Sequence, residues 1–269
     1  PPPRRVAEWG SAPLPAGAVQ GGAVVDREAV AEATFGLLES LRSSRGRLVA
    51  SVTGQRSVPR LLEFPKMEPR LIAEAVEREM KRELPVPLDE TYISSQTIGG
   101  ENGRIKVFAL GLPKDVLDPF VGAIGLLGMR LHAADIKPLA LVRAVARADT
   151  LIVDVERGSI DVIVVREGVP VTIRTVGLGG PQDGLQDVVG RAGEELARTV
   201  KFYRDTHGEH ALSPDTPLSV TGSLAREVTE TAQASTGLTA APISVPMTCP
   251  ANFDAAPYMV NIGLALKEV

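Results

Sequence analysis

The sequence predicts a mixed α/β fold with a smaller α+β unit set into it, and three observations predict this. The runs LIVDVE, IDVIVV and VTIRTV at 151–156, 160–165 and 171–176 are apolar, β-branched and separated by short turns, the pattern of an antiparallel meander. Residues 48–133 read as strand, strand, helix, strand, strand, helix, enough for a compact unit with its own core. The 269 residues divided by roughly 150 per domain give about 1.8, so two lobes are expected. The division is therefore 1–47 as the remainder of a first lobe, 48–133 as the inserted unit and 134–269 as the second half.

Composition narrows the function classes. Hydrophobic residues make up 44% and charged residues 23%, a globular balance. Lys+Arg 29 against Asp+Glu 33 leaves a formal charge of −4, without the basic excess that a nucleic-acid binder needs. The single cysteine, Cys249, excludes an internal disulfide framework and a Cys-rich zinc site, and in MTCPANF it reads as a small apolar filler. His207 and His210 share the polar stretch DTHGEH, but no periodic helix holds them on one face as metal ligands. No run approaches the roughly 18 apolar residues of a membrane span. The N-terminal PPPRRVAEWG has no apolar signal-peptide core. A cytosolic protein is expected.

The elements follow in order. Pro13, Pro15 and Gly17 keep the first 25 residues in strand and loop. Asp26 is placed to cap a helix carrying Val30, Phe35, Leu37, Leu38 and Leu41 and ending near 45–46. Leu48–Val52 and Val58–Phe64 are strands. Pro69 opens a helix whose Ile72, Val76, Met80 and Leu84 recur every four residues as one buried stripe, until Pro85 and Pro87 end it. Tyr92–Ile98 and Ile105–Leu110 pair through GGENG; a helix follows at 114–128 and another at 138–148. After the meander come a Gly-rich turn, a helix at 185–203, a strand at 218–220, a short helix, a short strand at 242–247 and a terminal helix at 257–267.

Several residues admit a chemical and a plain reading. Asp154 lies near the end of the first meander strand, where a carboxylate holds a Mg²⁺-bound water or simply bonds its own turn. GLGGPQDG at 177–184, with Gly179 and Gly180, opens a helix as phosphate-binding loops do, but it matches neither the dinucleotide nor the P-loop pattern. Thr221-Gly222-Ser223 follows a strand as a close-approach turn, suited to an adenosine or to a small-residue helix start. Glu194, Glu195 and Arg198 would contact a ribose or form solvated pairs along their helix. No nucleophile–base set and no acid/base carboxylate pair is placed by spacing.

The order of these pieces resembles the second half of an actin-like (ribonuclease H-like) ATPase fold. The stretch FPKMEPRLIAEAVEREMKRELPVP resembles the SHS2-type insert of FtsA-like proteins. APLPAGAVQGGAVVD, DIKPLALVRA, GVPVTIRTVGLGG and APYMVNIGLALK are similar in texture to the PilM family of type IV pilus assembly. The resemblance implies a cytoplasmic scaffold, peripheral at the inner membrane through its partners. It would bind the cytoplasmic N-terminal peptide of a PilN-like membrane protein beside other platform components and an assembly ATPase. It places the peptide groove at the junction of the insert with its parent lobe, bordered by 48–64 and 133–143. The alternative it implies is an ATP- and Mg²⁺-binding regulator using Asp154, Gly179, Gly180, Glu195, Gly222 and Ser223. A sugar-kinase relative is a more distant class, for which no sugar-binding base is placed. Against the family pattern the chain begins after the phosphate-1 strands, as a trimmed or reduced form would. It has Glu156 where a glycine is usual and Gly222-Ser223 where two glycines are usual. A carboxylate at 156 repels phosphate, so weakened ATP binding and no hydrolysis are expected.

Overall fold

The computed structural model describes residues 4–41, 46–180, 183–208 and 212–268. The largest sheet contains the meander. Strands β8 (Thr150–Val155), β9 (Ser159–Arg166) and β10 (Val169–Gly177) run antiparallel, and β11 (Leu218–Thr221) adds in parallel beside β8, giving the order β10-β9-β8-β11. Glu167 and Gly168, both at positive φ (52° and 78°), form the two-residue turn that returns β9 into β10 with the twist a hairpin requires.

Both faces of this sheet are covered, which is why β8 and β9 read as near-continuous apolar runs. Leu151, Val153, Val155 and Val162 pack on one side against α5 (Leu185–His207) and α6 (Ala225–Thr236). Ile152, Ile163 and Val165 pack on the other against Leu141, Ala144 and Val145 of α4 (Lys137–Val145) and Met259 and Ile262 of α7 (Met259–Ala265). Gly263 permits this second layer: a Cβ there would lie 1.8 Å from the Ala140 carbonyl oxygen, so α7 meets the α4 backbone directly.

A separate three-stranded sheet, β4-β6-β5, is built from β4 (Val58–Pro65), β5 (Thr91–Gly99) and β6 (Arg104–Pro113). The predicted stripe of α2 (Pro69–Glu83) packs on one face of it, with Val76 and Met80 buried against Val107 and Ala109. The GGENG hairpin closes through Asn102 and Gly103, both at positive φ. The strand β3 (Leu48–Val52) does not join this sheet. It pairs in parallel with β7 (Leu131–Ile136), because local periodicity marks a strand without naming its partner. α3 (Lys114–Leu126) likewise turns away from α2 to pack against α1 (Arg27–Ser40) and β2 (Ala23–Val24), which pairs with β1 (Val19–Gln20). Asp26 caps α1 as expected, accepting from the Ala29 amide at 2.9 Å. The helix ends at Ser40 rather than near 45–46, with Leu41 as its C-cap, and 42–45 lie outside the described residues. Residues 242–247 form no strand. Pro242 and Pro246 lack the N–H a ladder needs, and this stretch instead lends Ile243, Val245 and Met247 to the core below α4.

Candidate functional site

Registration of the four strands puts four polar residues in one row. Thr175 on β10 is opposite Asp161 on β9, Asp161 is opposite Asp154 on β8, and Asp154 is opposite Thr221 on β11. Two carboxylates directly opposite each other in an antiparallel pair repel, and both are buried, Asp154 at 1% and Asp161 at 0% exposure. Each of the four carboxylate oxygens nevertheless has a partner, a threonine hydroxyl or one shared ammonium. Thr221 Oγ1 donates to Asp154 Oδ1 at 2.7 Å, and Thr175 Oγ1 donates to Asp161 Oδ1. The other oxygens, Asp154 Oδ2 and Asp161 Oδ2, have no hydrogen-bonding hydroxyl or amide; the ammonium of Lys137 faces them at 2.6 and 3.0 Å. Burial alone would lower the Lys137 pKa, but the charges of Asp154 and Asp161 outweigh it and hold it above the ordinary lysine value. Burial pushes the Asp161 carboxyl up, against the pull of Lys137 and Thr175.

The rim above this row is closed by Glu156 and Ser223. Ser223 donates to Glu156 twice, from its hydroxyl to Oε2 and from its amide to Oε1 at 3.2 Å. Burial and the charge of Asp154 raise the Glu156 pKa, against the lowering effect of Ser223 and Lys137. Gly222 holds φ +97°, and a Cβ there would meet the Val155 carbonyl oxygen at 2.4 Å, so its turn seats directly on the end of β8.

The structure thus brings Asp154, Gly222 and Ser223 together at the carboxyl ends of two parallel strands, where ligands of open α/β sheets bind. The remaining candidates are engaged elsewhere. The Gly180 amide donates to Asp183 Oδ2 at 2.9 Å, and that oxygen also pairs with Arg191 at 2.7 Å. The protein's own carboxylate therefore takes the amide an anion would use, and the Asp183 pKa is lowered first by that amide and then by Arg191. Gly179, at φ +121°, has the Asp183 carboxylate 2.1 Å from where its Cβ would stand. Glu195 pairs with Arg174 at 3.1 Å and Arg198 at 2.6 Å. Arg174 is opposite Val162, on the α5 side of the sheet, whereas Asp154 shares the α4 side with Ile152. These residues do not fit Mg²⁺-ATP: the carboxylate oxygens a metal would use face an ammonium, and Glu156 adds negative charge at the rim. Among the described residues no group of three or more His, Cys, Asp or Glu could hold a metal ion. His207 stacks on Tyr203 with ring centroids 4.0 Å apart, and His210 lies outside the described residues.

Lys137 was not among the candidate residues of the sequence. The signal existed in two parts: aspartates inside buried strand runs need a cation, and DIKP places one lysine at the start of an apolar helix. Their pairing depends on a crossing that spacing does not reveal.

A second feature is a groove of about 630 Å³ between the three-stranded sheet and α4. Its floor is the sheet face opposite α2: Tyr92, Ser94 and Gln96 on β5 pair with Leu112, Leu110 and Phe108 on β6. Its wall is Leu139, Val142 and Arg143 of α4. β5 is one of the two edge strands of its sheet. At the base, the buried Asp135 binds Arg143 at 2.7 Å and Lys267 at 3.1 Å, and Arg143 also donates to the Gly263 carbonyl at 2.6 Å. Of the two segments expected at the junction, 134–143 lines this groove. Ser57–Leu61 lines another, of about 510 Å³, beside Pro170–Ile173. Among the described residues no helix is long and apolar enough to cross a membrane.

No family model matches the chain, and no curated protein matches it in sequence. Solved structures do match its fold. One is a PilM–PilN type IV pilus biogenesis complex, at a TM-score of 0.77 and 21% identity, covering 94% of this chain and 89% of that one. Another is the cytoplasmic domain of EpsL, an inner-membrane component of the type II secretion system of Vibrio cholerae, at 0.54 and 10%, covering 90% and 82%. A third is the ethanolamine utilization protein EutJ of Carboxydothermus hydrogenoformans, at 0.50 and 12%, covering 92% and 77%. The chain has the actin-like ATPase fold, and its resemblance to PilM holds in three dimensions.

Proposed function

We propose that this actin-like chain is a non-catalytic scaffold of a type IV pilus assembly platform, working in the cytoplasm and held at the inner membrane by its partners. In this reading the unit carrying α2 and the three-stranded sheet is an SHS2-type insert. The groove beside it takes the cytoplasmic N-terminal peptide of a PilN-like membrane protein. One observation carries the reading: the sheet has one face covered by α2, while on the other Leu112 is buried against Val52, Val116 and Ile136 but Phe108 and Leu110 stay half-buried along the floor of an open groove. A sheet face that apolar is normally covered, and a narrow groove beside an edge strand suits an extended peptide with alternating apolar side chains. The fold it shares with the protein of the PilM–PilN complex supports a partner of that kind.

The test is fluorescence anisotropy with a labelled synthetic peptide from the N-terminus of the PilN-like protein of the same organism. Saturable binding is expected, and Phe108→Asp, at a half-buried groove-floor position outside the core clusters, should weaken it roughly tenfold or more by placing a charge in the groove floor. A thermal melt unchanged between the two proteins would locate the effect in the groove. Absence of binding by the unsubstituted chain would overturn the proposal.

A further inference from the structure

We infer that this chain carries its own cation where the metal of a bound nucleotide would be held: the Lys137 ammonium latches the Thr175–Asp161–Asp154–Thr221 row, and the fold closes with neither divalent metal nor ATP. The inference stands independently of the peptide groove.

The geometry leaves one position between the two carboxylates, and the ammonium has it. Nζ stands 2.6 Å from Asp154 Oδ2 and 3.0 Å from Asp161 Oδ2. A divalent ion bridging the same oxygens at roughly 2.0–2.6 Å would occupy that space, so lysine and metal exclude each other. Lys137 is also not a phosphate-binding lysine in waiting. Its side chain is only 12% exposed, and its reach ends on the two aspartates. Both remaining carboxylate oxygens accept from threonine hydroxyls, which completes the row without solvent or ligand. The groups facing Lys137 are three carboxylates, those of Asp154, Asp161 and Glu156, against its single positive charge. A polyphosphate brought to this rim would add anions to an already anionic surround.

Thermal melts and calorimetry on the purified chain test this. The wild-type midpoint should be the same in EDTA, in millimolar Mg²⁺ and in Mg²⁺-ATP, and titration with Mg²⁺-ATP should give no binding heat. Lys137→Ala should lower the midpoint by roughly ten degrees. In that variant alone, millimolar Mn²⁺ should restore part of the loss, because a small cation can re-enter between the freed carboxylates. A triple variant, Lys137→Met with Asp154→Asn and Asp161→Asn, should be less destabilised than Lys137→Ala and insensitive to Mn²⁺. Stabilisation of the wild type by Mg²⁺ or Mg²⁺-ATP, or a Lys137→Ala protein that Mn²⁺ leaves unchanged, would overturn the inference. If Lys137→Ala does not fold, the wild-type melts and titration decide it alone.

Discussion

At Lys137 two opposing effects meet. Burial strips water from the ammonium, and two facing carboxylates return more than burial removes. Truncating one partner of a buried ion pair costs about 3–5 kcal/mol, since the other is left uncompensated. Lys137→Met should therefore cost an amount in that range, measured by urea unfolding at neutral pH. The sign of the pH dependence follows from the raised lysine pKa. Its contribution is complete below the ordinary lysine value of 10.5 and is lost as the pH rises through the higher folded value. Glu156 acts in the same sense at lower pH. Its folded pKa lies above the ordinary 4.5, so its contribution is complete below that value and falls away as the carboxyl ionises. Glu156→Gln, which can still accept from Ser223, should raise the melting midpoint at pH 7. The gain should shrink as the pH is lowered toward 4.5.

Among the elements, α2 and α4 show how much the sequence disclosed. The stripe Ile72, Val76, Met80, Leu84 set both the helix and its buried face, and the structure buries Met80 completely. Met80→Ala should cost about 2–5 kcal/mol in denaturant unfolding, because the sheet above it cannot collapse into the space. α4 was also legible as a helix from its apolar residues and Pro138. Its role was not, since it depends on what lies at each end and on each side. Gly263 lets α7 approach within backbone contact, and Gly263→Ala should cost about 1–3 kcal/mol by forcing the helices apart. Because Gly263 and Arg143 are joined by a hydrogen bond at the groove wall, the same variant should also weaken peptide binding in anisotropy. The strands were legible one by one. Their partners were not: β3 is identified as a strand by Leu48–Val52, while its pairing with β7 spans an inserted sheet and two helices.

For the whole molecule, local patterns disclosed a mixed α/β chain with an α+β unit, and the order of the elements carried the resemblance to the actin-like fold that the solved structures bear out. The candidate site was legible only as a set of residues. Asp154, Gly222 and Ser223 do converge, since β8 and β11 are parallel and their carboxyl ends coincide. What that convergence does chemically depends on Lys137, which reaches it from a different layer of the protein. One consequence follows from α4 being rooted in that ion pair at its first residue while Leu139, Val142 and Arg143, within the next two turns, face the groove. The wall that would grip a peptide is pinned to an internal charge that, unlike a bound nucleotide, is neither exchanged nor hydrolysed. A receptor of the kind proposed would have no clock: its occupancy would track the abundance of its partner alone, and peptide isotherms recorded with ATP and with apyrase should superimpose.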